Sequence, residues 1–145
     1  MKFINSDYDE STGVSTVTMQ HLGKKFVEQA FLHPEDTKPS KYAGCRFAEI
    51  RAIIKALKYE RALAKNKADM ALDFVKSIEC YAGFDKNSPE AKMMYRQLNK
   101  RIKRVNDITE RINAAMQDLD ISIRQRTIVT NALDRKKTKE DNSLS

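Results

Sequence analysis

The chain has 145 residues, room for one domain with a modest core. Its 41% hydrophobic and 32% charged residues suit a helical protein with a wide solvated surface, and no apolar run reaches membrane-spanning length, which excludes an integral helical membrane protein. A formal charge of +7 directs attention to anionic partners: nucleic acid, nucleotides, acidic protein or anionic lipid.

The first third, residues 1–36, reads as β structure. Lys2 to Tyr8 is a predicted short strand, followed by a turn over Asp9 to Gly13. Val14 to Met19 is β-branched and roughly alternating. Leu22-Gly23 makes a turn, and Lys24 to Leu32 supplies another strand. Pro34 cannot extend a central strand, so His33-Pro34-Glu35-Asp36 leaves the sheet. A sheet of two or three short strands is too small to stand alone and must lean on helices or a partner.

The period then changes. Over 41–82 the residues Ala43, Phe47, Ile50, Ile54, Leu57, Arg61, Ala64, Ala68, Ala71, Val75, Ile78 and Ala82 form a heptad-like seam that only Arg61 interrupts. Gly44 falls inside the first turns of this helix, where its low propensity weakens the start. Gly83 to Asn87 breaks the pattern. Ser88 is a good N-cap, Pro89 suits the first helical position, and Glu90 favours the helix dipole. A second helix over 88–134 carries the seam Ala91, Met94, Leu98, Arg101, Val105, Ile108, Ile112, Ala115, Leu119, Ser122, Arg126, Val129 and Leu133. Residues 135–145 lack apolar period and read as a flexible tail.

The expected fold is therefore α+β: a small N-terminal antiparallel sheet, then a long antiparallel two-helix coiled-coil hairpin, within a single domain over 1–145. Each helix would span about 60 Å at 1.5 Å per residue. Apolar residues also lie outside the seam: Ile53, Tyr59, Leu63, Met70 and Phe74 on the first helix, and Ile102, Met116, Ile123 and Ile128 on the second. The short sheet cannot sheathe so long a rod, so self-association, as a homodimer or a hexamer, is expected to bury those flanks.

Little here suggests enzyme chemistry. His21 and His33 lie in or beside the β region, and neither a nucleophile–base arrangement nor metal-ligand spacing is present. Asp118 and Asp120 are two apart on a helix and do not face each other. Cys45 and Cys80, near opposite ends of one helix, read as separate thiols. The polar cluster Asn5, Ser6 and Asp7 follows no leader-like segment, so a reducing cytoplasm is the expected location. The expectation is a non-enzymatic binding or structural protein, with no cofactor or metal and no membrane partner.

The basic clusters carry more information. Arg96, Lys100, Arg101, Lys103 and Arg104 stand together without an acid among them, and Arg96, Lys100 and Arg104 follow an i, i+4, i+8 spacing along one face. Their mutual repulsion is relieved only by an anion or a partner's acid. Arg61 and Arg101 occupy seam positions, and with a fold point near residue 86 Arg101 faces Ala68 and Ala71. Tyr81 and Phe84 sit at the bend, where an aromatic beside cations can stack a base. The bland readings are a solvated basic face, snorkelling arginine stems and a local aromatic plug.

Four stretches resemble the phage-encoded Thoeris anti-defence proteins of the first-described type: Tyr8-Asp-Glu-Ser-Thr-Gly-Val-Ser-Thr-Val-Thr18, Leu32-His-Pro-Glu-Asp36, the run from Tyr42 to Lys58, and Asn87-Ser-Pro-Glu-Ala91 followed by Tyr95-Arg-Gln-Leu-Asn-Lys-Arg-Ile-Lys-Arg104. The resemblance implies a homo-oligomeric sponge that sequesters a cyclic ADP-ribose signal without cleaving it. It also implies capture of cyclic oligonucleotides by some members, at separate pockets. In such a pocket an aromatic stacks on adenine while Arg or Asn side chains hold phosphate and ribose. By that resemblance the aromatic is Phe84, and the polar set falls among Arg96, Asn99, Lys100, Arg101 and Arg104; Arg61 is a further ligand candidate from its seam position alone. Two other readings stay open: a basic nucleic-acid-binding phage regulatory protein, and a structural coiled-coil component of a phage particle.

Overall fold

The computed structural model describes the backbone of residues 1–31 and 40–143, and the side chains of 1–31, 44–121 and 123–124. The elements run β1 (Lys2–Asp9), β2 (Val14–His21), β3 (Lys24–Phe31), α1 (Ser40–Glu79) and α2 (Pro89–Ser143). The fold is α+β: an antiparallel three-stranded sheet in the order β1-β2-β3, followed by two packed helices. The predicted Leu32 and His33 to Asp36 lie outside the described residues. The chain divides into two compact units, 1–54 with 114–145, and 55–113.

In the first unit the strand alternation sorts the sheet into two faces. Ser15, Val17 and Met19 of β2 are buried with Phe26 and Ala30 of β3. Val17 and Ala30 meet Phe47 and Ala48 of α1, and Leu119 of α2 packs against the same cluster. Glycine at 44 has a specific cause. A Cβ there would stand 2.8 Å from the Ser15 hydroxyl oxygen, so a side chain at 44 would require that hydroxyl to turn aside. Ser15 itself is buried.

Two tight turns join the strands. In the first, the Gly13 N–H donates to the Asp9 carbonyl at 2.8 Å. The Asp9 carboxylate accepts from the Ser11 hydroxyl and the Ser11 N–H, which holds its pKa below the ordinary value. The second turn places both central residues at positive φ, 51° at Leu22 and 77° at Gly23, the backbone of a type I′ hairpin. Between Phe3 and Asn5 the β1–β2 register shifts, leaving Ile4 as a bulge.

In the second unit, Leu57, Ala64, Ala68 and Val75 of α1 are buried, as are Ala91, Leu98, Ile108 and Ile112 of α2, all of them seam positions. α1 ends at Glu79 rather than at Ala82. The Tyr81 N–H turns back to the Ile78 carbonyl, the Phe84 N–H bonds the Tyr81 carbonyl, and Gly83 takes φ 84°. α2 then starts with Ser88 as N-cap, its hydroxyl accepting the Ala91 N–H at 3.2 Å. At its far end α2 continues to Ser143, beyond Asp134, where the apolar period predicts its end and a tail after it. Loss of apolar period does not end a helix by itself: no Gly or Pro follows Pro89, and Arg135, Lys136, Lys137, Lys139 and Glu140 are good helix formers.

Candidate functional site

Three bonds set the register of the hairpin in the second unit. Near the bend, the Tyr95 hydroxyl donates to Glu79 Oε1 at 2.8 Å, which raises the tyrosine's pKa above its usual value. Further along, Arg101 Nη1 donates to the Lys67 carbonyl at 3.1 Å. Beyond that, Arg104 Nη2 lies 2.8 Å from Glu60 Oε1, with Glu60 only 7% exposed.

These bonds divide the seven candidate residues. Arg104 is committed to Glu60, so the acid missing from α2 comes from α1, and the expected i, i+4, i+8 row of unneutralised cations loses its third member. Arg101 anchors α2 on the α1 backbone and lines a groove together with Ala71, one of the small residues it was expected to face. Arg61 is half-buried at its seam position. Arg96, Asn99 and Lys100 are exposed, and among the described residues no hydrogen bond or ion pair reaches these three or Arg61. Phe84 is half-buried in the bend, while its neighbour Tyr81 is largely exposed.

The candidates do not form one pocket. Along α2, Arg96 lies about 10 Å from Pro89 and Arg104 about 22 Å, so only the first is near the bend that holds Phe84. Arg96, Asn99 and Lys100 are exposed together on α2, about 10 to 17 Å along the axis from Pro89, and Phe84 is half-buried in the bend. Arg96 and Lys100, one turn apart, present two cations about 6 Å from each other along the axis, a spacing suited to neighbouring phosphates.

A different feature escaped the sequence reading. An open groove of about 470 Å³ runs between α1 and α2, with Met70 and Phe74 on one wall and Glu90, Met93, Gln97 and Arg101 on the other. Met70 is 70% exposed, Phe74 58% and Met93 63%. Met70 and Phe74 already stood out as apolar flanks, but Met93 did not. Its signal was the i, i+4, i+8 row Met93, Gln97, Arg101, which places a methionine, an amide and a guanidinium along one edge.

Among the described residues no cluster of His, Cys, Asp and Glu could hold a metal ion, and no helix is long and apolar enough to cross a membrane. Cys45 and Cys80 are free thiols, and Cys45 Sγ accepts a hydrogen bond from the Ser6 hydroxyl at 3.6 Å. Comparisons with protein-family models, curated proteins and solved structures find no match to this chain.

Proposed function

We propose that the protein is a non-enzymatic sponge: it captures a small anionic nucleotide of the cyclic ADP-ribose type in the bacterial cytoplasm and withholds it, uncleaved, from Thoeris defence. The observation that carries this reading is the pair Arg96 and Lys100, two exposed cations one helical turn apart with no described partner. The sequence resemblance to phage Thoeris anti-defence proteins supplies the ligand class. Phosphates would bind the two cations, Asn99 would meet a ribose or base edge, and Phe84 would stack on the purine. A sponge needs abundance and a dissociation constant below the signal's concentration; micromolar binding corresponds to about 8 kcal/mol.

The test is capture. Purified protein is incubated with lysate from Thoeris-activated cells, washed and heat-denatured, and the released small molecules are identified by mass spectrometry. An intact cyclic nucleotide is the expected result, and an empty filtrate sinks the reading. The net charge of +7 favours a second reading, a nucleic-acid-binding regulatory protein. That protein would bind DNA or RNA longer than a dinucleotide, with affinity falling steeply as salt rises.

A further inference from the structure

Met70, Phe74 and Met93 each leave more than half of their surface exposed along the groove between α1 and α2. Apolar surface gathered in this way marks an interaction site. The groove is open along one side, so it cannot enclose most of a small molecule as ligand pockets do. It suits a rod. Met70, Met93 and Met94, three of the chain's six methionines, line it, and their flexible thioethers repack around apolar partners of different shape.

The charges narrow the kind of rod. Glu90 stands at the bend end of the groove, and Arg101 lies about 16 Å further along α2. Glu90 and Gln97 have no side-chain partner among the described residues. Arg101 spends one donor on the Lys67 carbonyl, which holds the guanidinium at the groove end with other donors still to give. Helices favour acidic residues in their first turn and basic residues in their last, because of the macrodipole. A helix of about three turns therefore carries opposite charges at the separation that Glu90 and Arg101 present.

We infer that the groove docks an amphipathic helix of a partner protein, about three turns long and antiparallel to α2. Its acidic first turn lies against Arg101 and its basic last turn against Glu90. Apolar side chains one and two turns apart on that helix seat between Met70, Phe74 and Met93, the usual mode of helix-in-groove recognition. The opposite direction would set acid against Glu90 and base against Arg101, so the two charges select direction as well as partner class. Arg96 and Lys100 lie outside the groove lining, so this docking is independent of the sponge reading.

Fluorescence anisotropy on the full chain tests it with two labelled synthetic peptides of about four turns. Both carry the same apolar anchors at i, i+3 and i+7, and both are stapled on the outer face so that circular dichroism shows equal helicity. The matched peptide is acidic in its first turn and basic in its last; in the swapped peptide those charges are exchanged. The matched peptide should bind with a micromolar dissociation constant, and the swapped one at least tenfold more weakly, a comparison that needs no variant of the protein. Met93→Glu, at an exposed position, should abolish binding, with urea unfolding of the same sample confirming the fold. Glu90→Lys should weaken the matched peptide and strengthen the swapped one. No binding of the matched peptide to the wild-type chain, as when a second copy already covers the groove, overturns the docking. Equal binding of the two peptides, or undiminished binding to a folded Met93→Glu or Glu90→Lys chain, overturns it as well.

Discussion

Arg104 Nη2 sits 2.8 Å from Oε1 of Glu60, and the two partners differ sharply in exposure: the arginine side chain is 63% exposed and the glutamate 9%. The pair joins two helices whose residues stand 44 apart in sequence. A carboxylate this buried needs a charged or hydrogen-bonding partner, so the arginine belongs to the fold rather than to a ligand.

Arg104→Ala should therefore lower stability to urea by about 1 kcal/mol, discounted for the solvent around the guanidinium. Arg96→Ala, with no described partner, should stay within about 0.5 kcal/mol of wild type. A double-mutant cycle between Arg104 and Glu60 measures the coupling directly. Equal effects of Arg104→Ala and Arg96→Ala would mean that the pair does not hold in solution.

This pair also shows where sequence reading stops. Strand limits at Lys2, Val14 and Lys24, the seam through Leu57 and Ile112, and the Ser88 cap were all legible, because each depends on residues close in sequence. The Arg104–Glu60 pair depends on register between distant segments, and a shift of one residue along α1 would place Arg61 or Tyr59 there instead. Register also decides which apolar flanks meet. It joined Met70 and Phe74 to Met93, whose sequence signal was only its i, i+4, i+8 row with Gln97 and Arg101. Gly44 looked like a weakness in α1 because its reason, the Ser15 hydroxyl, lies on another element.

The Gly44–Ser15 approach gives a second prediction. Gly44→Ala gains up to about 1 kcal/mol of helix propensity, but its Cβ would meet a buried hydroxyl at 2.8 Å. Overpacking of that kind costs about 1–3 kcal/mol, so the net effect should be destabilising. In Ser15→Ala the hydroxyl is gone and the nearest remaining atom, Ser15 Cβ, is 3.5 Å away, an ordinary contact. The double variant Ser15→Ala/Gly44→Ala should then be more stable than Gly44→Ala alone in thermal or urea unfolding. If adding Ser15→Ala brings no recovery, the close approach of α1 to β2 is not what requires glycine.

Leu22 offers a gain rather than a loss. Its φ of 51° is a left-handed conformation that a branched apolar residue adopts at a cost, and its side chain is 55% exposed, so little packing offsets that cost. Asn-Gly is the preferred pair for a type I′ turn. Leu22→Asn should stabilise the chain by about 0.5–1 kcal/mol, read as a higher urea midpoint at unchanged slope. A lower midpoint would show that Leu22 is held by contacts rather than tolerated by the turn.

Among the described residues Arg96 and Lys100 hold nothing else, which separates the proposed phosphate contacts from the fold. Arg96→Ala and Lys100→Ala should each weaken capture of the nucleotide about tenfold or more, and together about a hundredfold, since charge-assisted bonds to phosphate contribute about 1.5–3 kcal/mol apiece. Phe84→Ala should weaken capture through loss of base stacking, worth about 1–3 kcal/mol. Arg101→Ala acts on the hairpin instead, through the lost bond to the Lys67 carbonyl, so it should lower the urea midpoint before it changes capture. Titration of each variant with the recovered nucleotide, beside urea unfolding of the same samples, distinguishes a ligand contact from a fold contact. Should Arg96→Ala/Lys100→Ala bind as tightly as wild type, those cations are an ordinary solvated face and the phosphate contacts lie elsewhere.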